Sequence, residues 1–216
     1  MIEPTFTILL GGTLTVTERL LGAVAGSRVI AADSGMRHAA ALGLVPELWV
    51  GDFDSAPEAL LAAWPDVERQ PYPARKAATD GEIAVQEALE RGARRLLLLG
   101  ALGGERSDHA LQHFTQALSL KAEGHEVLLS SGDEEAIALL PGEARLDLPP
   151  GSLFSVVGFS DLRGLTIDGA RYPLADFSLP FGSSRTISNV AEGPVRLVLE
   201  TGRAIVLARP YDLSGA

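Results

Sequence analysis

The stretch Arg95–Ala122, RLLLLGALGGERSDHALQHFTQALSLKA, decides the class of fold. Four leucines behind Arg95 make the short, unbroken apolar run of a strand buried on both faces. A glycine-bearing turn follows, and Asp108–Ala122 then reads as a long helix, with Gly124 placed where a helix end wants a left-handed residue. Glu126–Leu129 is the next strand candidate. Strand, helix and strand in that order make a βαβ unit, whose two strands pair in parallel.

The same alternation extends toward the N-terminus. Thr7–Leu10, Arg28–Ala32 and Leu48–Val50 read as strands, and helices are expected near Thr17–Ala25, Met36–Leu42, Pro57–Ala63 and Asp80–Arg91. Beyond Pro141-Gly142 the character changes to short β-prone runs at Leu146–Leu148, Leu153–Val157, Leu165–Ile167, Val195–Leu199 and Ala204–Leu207, divided by turn signals such as Pro149-Pro150-Gly151 and Asp168-Gly169. The sequence therefore predicts an α/β domain with a mostly parallel sheet over residues 1–140 and an antiparallel β-sandwich over residues 141–216. A strand at Ala136–Leu140 fits either domain.

Composition narrows the function classes. The formal charge of −10 repels a phosphate backbone and argues against broad nucleic-acid binding, so a polyphosphate ligand must arrive with a cation. The absence of cysteine excludes disulfides, thiolate zinc sites and thiol nucleophiles. The start Met1-Ile2-Glu3-Pro4 lacks a basic leader, and the apolar run at Ile8–Leu10 is far too short to span a membrane, so a cytoplasmic protein without a membrane partner is expected.

Ligands of open α/β sheets sit beyond the carboxyl ends of the strands. Here those ends are acidic: Asp33-Ser34-Gly35 follows one strand and Gly51-Asp52-Phe53-Asp54-Ser55 the next. Ser55 with Glu58 and Thr79 with Glu82 have the spacing of capping boxes, which places helix starts at Ser55 and Thr79 and puts Asp80 in a first turn. Asp52 and Asp54 flank one residue, so in extended geometry their carboxylates point the same way. Any one of these aspartates alone reads as a helix cap. Together, Asp33, Asp52, Asp54 and Asp80 are expected to meet in one pocket and to hold Mg²⁺ carried in by substrate phosphates.

The block Gly100–His109 brings Gly103, Gly104, Arg106, Asp108 and His109 to a second such turn, where backbone amides approach a phosphate and a guanidinium forks onto its oxygens. It matches neither a P-loop nor a dinucleotide fingerprint. His109 and His113 stand four apart, but without the glutamate of H-E-x-x-H they are discounted as a zinc pair. Lys76 is a loop lysine that gains a role only where phosphates lie nearby. In the second half, Thr186-Ile187-Ser188-Asn189 gathers small polar groups shortly after Tyr172, Phe177 and Phe181, a mixture able to stack on and hydrogen-bond a heterocycle.

Taken in order, Asp33-Ser-Gly35, GDFDS at Gly51–Ser55, Lys76-x-x-Thr79-Asp80, GALGGERSDH at Gly100–His109 and Thr186-Ile-Ser188-Asn189 resemble the thiamine pyrophosphokinases over nearly the whole chain. The resemblance implies a catalytic α/β domain, a thiamine-binding β-sandwich and a homodimer in which each site draws on both subunits. It implies transfer of the β,γ-diphosphate of ATP to thiamine, giving thiamine diphosphate and AMP with Mg²⁺. Carried over residue by residue, it assigns Asp52, Asp54 and Asp80 to the metal and pyrophosphate, with Asp52 and Asp80 catalytic; the high pKa of a primary hydroxyl separately calls for a nearby carboxylate, Asp80, to orient it or accept its proton late. Asp33, Lys76, Gly103, Gly104, Arg106, Asp108 and His109 fall to the nucleotide, and Thr186, Ser188 and Asn189 to the thiamine pyrimidine, with Tyr172 stacking.

Three departures from that family's pattern stand out. Ser34 replaces a glycine of D-G-G, so the backbone there must accept a Cβ. Arg75-Lys76-Ala77-Ala78-Thr79-Asp80 lacks two carboxylates of D-K-D-x-T-D. GGERSDH is one residue longer than G-G-R-x-D-H, which shifts Arg106. Two rival readings fit the residues alone: a Mg²⁺-dependent phosphohydrolase using D-x-D as an aspartyl nucleophile, and a thiamine-binding module without chemistry.

Overall fold

A computed structural model describes residues 4–54, 56–73, 77–104 and 106–215. By internal contacts the chain forms two units, Met1–Ala110 with His125–Gly132, and Leu111–Gly124 with Asp133–Ala216.

The first unit is a parallel sheet. Its strands are β1 (Thr5–Leu9), β2 (Arg28–Ala32), β3 (Leu48–Gly51), β4 (Glu68–Pro71), β5 (Arg95–Leu99) and β6 (Glu126–Ser130). They lie side by side in the order β6-β5-β1-β2-β3-β4. Every one of these pairings is parallel. Both sheet faces are buried, which is why the central strands read as continuous apolar runs. One face packs Leu9, Ala31, Trp49, Leu97 and Leu99 against α1 (Glu18–Val24) and α2 (Ala39–Leu42). α4 (Asp80–Glu90) packs on β1, β2 and β3 through the buried Ala84, Val85 and Ala88.

The local rules explain most helix ends. Thr17 caps α1 by accepting from the Leu20 amide, and Gly43, in the left-handed region at φ 64°, closes α2. Thr79 caps α4, its hydroxyl 3.2 Å from the Glu82 amide, and Asp80 occupies the first turn as expected. α3 (Glu58–Ala63) is the helix expected near Pro57–Ala63; its N-cap is Pro57, without a side-chain hydrogen bond, and Ser55 lies outside the described residues. Pro57, at φ −58° and ψ 135°, stands just outside the helix, so Glu58 is its first residue. The helix expected over Met36–Leu42 is a 3₁₀ segment, Asp33–His38, running into the short α2. α5 spans Ser107–Ala122.

The second unit is antiparallel. It holds β7 (Glu135–Leu139), β8 (Gly142–Leu146), β9 (Leu153–Gly158), β10 (Leu162–Ala170), β11 (Leu174–Leu179), β12 (Asn189–Leu199) and β13 (Ala204–Arg209). β13 lies between β7 and β9. The long β12 starts beside β9 at Asn189-Val190 and continues between β10 and β8, so one strand serves both layers. Phe154, Val156 and Val206 from one layer meet Leu165, Ile167 and Leu197 from the other in a shared core. Ala136–Leu140, compatible with either domain on sequence, is β7 of this unit. Among the described residues no helix is long and apolar enough to cross a membrane.

Candidate functional site

The carboxyl edge of the parallel sheet gathers the turns singled out by sequence. Ala32 of β2 pairs with Val50 of β3, so Asp33 and the Gly51-Asp52 segment leave the sheet side by side. The two turns touch: a Cβ built on Gly51 would lie 3.3 Å from the Cα of Asp33. Asp33 sits at φ 45°, in the left-handed region that aspartate tolerates better than most residues. The substitution of Ser34 for glycine is accommodated because residue 11 opposite is itself glycine, whose missing Cβ leaves room for the Ser34 hydroxyl.

Asp52-Phe53-Asp54 is not extended. β3 ends at Gly51, Phe53 sits at φ 60°, and the Asp54 amide donates to Oδ1 of Asp52 at 3.1 Å. That is an Asx turn, in which the aspartate bonds the backbone two residues on. It turns the chain within the D-x-D, so the same-side argument from strand alternation fails here. Asp80, at the start of α4, belongs to the same unit. Among the described residues no three carboxylate or imidazole side chains converge on a common metal position. The sheet thus brings Asp33 and Asp52 to one edge without assembling an all-protein cage.

The glycine block is built as a second turn at that edge. Gly103 and Gly104 take φ 73° and 98°, and Gly12 packs so tightly on Gly100 that its amide donates to the Gly100 carbonyl at 3.2 Å. Arg106 faces Asp108 in a bidentate pair, Nε to Oδ1 at 3.0 Å and Nη2 to Oδ2 at 2.8 Å. The hydrogen bond from Arg106 holds the Asp108 carboxyl at a pKa of about 2, against its ordinary 3.8. A depressed folded value means that the pair is intact above pH 3.8 and lost as pH falls through about 2. Both groups are well exposed, so this pairing contributes little to stability. Arg106→Ala is expected to return the Asp108 midpoint toward 3.8, read from its carboxyl carbon shift in an NMR pH titration. An unchanged midpoint would assign the depression to another source. Lys76 lies outside the described residues.

The edge also contains residues that the sequence reading passed over. Arg37 donates to the carbonyls of Gly11 and Gly12, and His38 Nε2 lies 2.9 Å from the Gly12 carbonyl. Burial lowers the His38 pKa, opposed by the Gly12 contact and aided by Arg37, so the ring is neutral near pH 7. Gly11-Gly12 immediately follows an apolar strand, the same position as Asp33 and Gly100, and that placement was the available signal.

In the second unit the Thr186–Asn189 segment divides its labour. Thr186 is buried and donates to the Val156 carbonyl at 2.6 Å. Asn189, also buried, brackets Tyr172: its Oδ1 accepts from the Tyr172 amide at 3.1 Å and its Nδ2 donates to the Tyr172 carbonyl at 2.9 Å. Ser188 sits at φ 59°, its amide donating to Ser155 Oγ, and its side chain is exposed. Tyr172 is 60% exposed, with Phe181 and Ile187 also open. Asn189 thus fixes the backbone of the aromatic residue that sequence reading singled out for stacking.

Comparison with known proteins adds a second line. Residues 24–129 match the family model described as thiamin pyrophosphokinase, catalytic domain, and residues 143–205 match that of its vitamin B1 binding domain. A thiamine pyrophosphokinase of Bacillus subtilis is 28% identical over 192 residues, covering 86% of this chain and 88% of that protein. The crystal structure of the thiamine pyrophosphokinase from B. subtilis superposes with a TM-score of 0.83 at 24% identity, covering 95% of this chain and 98% of that one. That of Geobacillus thermodenitrificans gives 0.80 at 25%, covering 95% and 97%. The yeast enzyme gives 0.78 at 13%, covering 100% and 88%, a likeness of fold.

Proposed function

The chain belongs to the thiamin pyrophosphokinase family, and from that premise we propose that it transfers the β,γ-diphosphate of ATP to thiamine, releasing AMP. The observation that carries the reading is the presence, in order on one chain, of the catalytic and vitamin B1 binding halves. The hydroxyethyl oxygen of thiamine forms a bond to the β-phosphorus, and the bond from that phosphorus to the α,β-bridging oxygen breaks. AMP leaves with the bonding pair, and the hydroxyl proton passes to a carboxylate, for which Asp80 is the candidate. Such transfers need in-line positioning and charge neutralisation more than covalent chemistry. The rival readings, phosphohydrolase and silent binding module, gain no support from relatives that are named thiamine pyrophosphokinases.

Mg²⁺ enters this reading as part of the ATP substrate. The donors at the carboxyl edge are carboxylates and the chain has no cysteine, a hard-oxygen set that fits Mg²⁺. Mg²⁺ ordinarily takes one or two protein carboxylates and leaves its remaining positions to water and phosphate, so an all-protein cage is not required. We assign Asp52, Asp54 and Asp80 to that ion, and Asp33, Lys76, Gly103, Gly104, Arg106, Asp108 and His109 to the nucleotide. Thiamine falls to the second unit, with Tyr172 for stacking and Thr186, Ser188 and Asn189 at its pyrimidine. The acidic charge of the chain suits a cationic thiazolium. A cytoplasmic homodimer with sites shared between subunits completes the proposal.

The test is AMP release from ATP and Mg²⁺ with and without thiamine. AMP formed only with thiamine, in equal amount to thiamine diphosphate, is the expected result. ATP hydrolysis indifferent to thiamine returns the phosphohydrolase reading, and thiamine binding without turnover returns the binding module.

A further inference from the structure

Trp49 lies on β3, with no exposed surface, and belongs to none of the turns assigned above. Its indole Nε1 donates to the carbonyl of Asp33 at 2.9 Å. Its ring meets that of Phe53 in a T-shaped pair, centroids 5.1 Å apart and planes at 82°. The Arg69 guanidinium lies 5.6 Å from the ring centroid, while Arg69 donates to the Leu61 carbonyl at 2.6 Å, so the indole is held from a third side. Two of these contacts, Asp33 and Phe53, share one property. Asp33 at φ 45° and Phe53 at φ 60° are both non-glycine residues in the left-handed region. Such conformations persist only where their surroundings over-determine them, and for a bulky residue such as Phe53 the preference against them is strong.

We propose that Trp49 is a positioning residue that sets both acidic turns, Asp33 through its N–H and Asp52-Asp54 through its ring. This rests on the functional reading above, which gives Asp33 to the nucleotide and Asp52 and Asp54 to the ion. The two arms are separable. Trp49→Phe keeps an aromatic ring for Phe53 and removes the donor to Asp33. Phe53→Leu keeps the donor and removes the T-shaped contact.

The experiment compares both variants with the unaltered chain by steady-state kinetics and by amide hydrogen exchange. Trp49→Phe is expected to raise the KM for ATP about five- to tenfold, the size of one hydrogen bond, with kcat changed less and exchange accelerated across Asp33–His38. Phe53→Leu is expected to raise the Mg²⁺ needed for half-maximal rate and to accelerate exchange at Asp54, leaving Asp33–His38 near its original rate. A tryptophan serving the core alone would lower the melting temperature of Trp49→Phe and leave KM, Mg²⁺ requirement and both exchange patterns unchanged, and that result overturns the proposal. If Trp49→Phe does not fold, Phe53→Leu at a partly buried turn residue decides, with an unaltered Mg²⁺ requirement and unaltered Asp54 exchange overturning it. The exchange readout needs no turnover, so absence of thiamine-dependent AMP formation in the unaltered chain overturns the functional reading and leaves the Trp49 hold to be judged by exchange.

Discussion

Asp52→Ala is expected to lower thiamine-dependent AMP formation by about 10²- to 10³-fold while leaving the fold in place. That magnitude is what removal of one preorganised electrostatic contact to a transition state ordinarily costs. The carboxylate stands at the end of β3, beside Asp33, at the edge where open parallel sheets receive phosphorylated ligands. Its hydrogen bond is local, Oδ1 to the Asp54 amide. Loss of such a turn contact costs about 1 kcal/mol, comparable to loss of a helix cap, so circular dichroism melts should stay close to those of the parent. Asp80→Ala should show the same separation, because the hydroxyl of Thr79, not Asp80, supplies the side-chain cap of α4. Measuring AMP against time with saturating ATP, Mg²⁺ and thiamine checks both variants. Turnover at the parent rate in either one removes that residue from the chemistry.

The parts of this molecule that were legible in advance are those whose burial is symmetric. β2 and β5 carry the bounds read from sequence, Arg28–Ala32 and Arg95–Leu99, because strands covered on both faces show as unbroken apolar runs. β4 and β11 went unread for the opposite reason. Glu68-Arg69-Gln70-Pro71 lies at one end of the first unit's strand order and Leu174–Leu179 at one end of the second's, and both are largely exposed. Edge strands carry charge and proline that blunt further pairing, which erases the strand signature.

At the carboxyl edge, the placement of the acidic turns directly after β2 and β3 was readable and their geometry was not. Period-two alternation presumes extended backbone, and the left-handed φ of Phe53 breaks it within the D-x-D. Thr79 capped its helix as its spacing with Glu82 required, whereas the N-cap of α3 is Pro57, two residues beyond the expected Ser55. The Trp49 contacts reach back sixteen residues to Asp33, and no local pattern announces a hydrogen bond of that range. Asn189 is a second long-range case: its side chain bonds the backbone of Tyr172, seventeen residues earlier.

Gly35→Ala should strongly destabilise the first unit. A Cβ at residue 35 would lie 2.1 Å from the Leu9 carbonyl oxygen, 2.5 Å from its carbon and 2.8 Å from the Leu10 nitrogen. These are backbone atoms at the end of β1, and the Leu10 amide is anchored to the Leu99 carbonyl at 2.8 Å, so relief requires moving strands rather than a side chain. Overpacking of this kind costs about 3 kcal/mol or more where nothing flexible can yield, a fall in Tm of roughly 6–12 °C for a chain of this size. Gly22→Ala is the matched control. It lies in α1 with nothing within 4 Å of its added Cβ, and replacing a helical glycine by alanine there should stabilise by about 1 kcal/mol. Thermal and urea melts of the two variants should therefore move in opposite directions. Since Gly35 follows Asp33 by two residues, strain relieved at residue 35 also shifts the Asp33 turn, and folded Gly35→Ala should bind ATP more weakly than Gly22→Ala. Equal stability of the two variants would mean that β1 and the Asp33–His38 segment do not pack backbone against backbone, and the route by which the sheet sets the Asp33 turn would be lost.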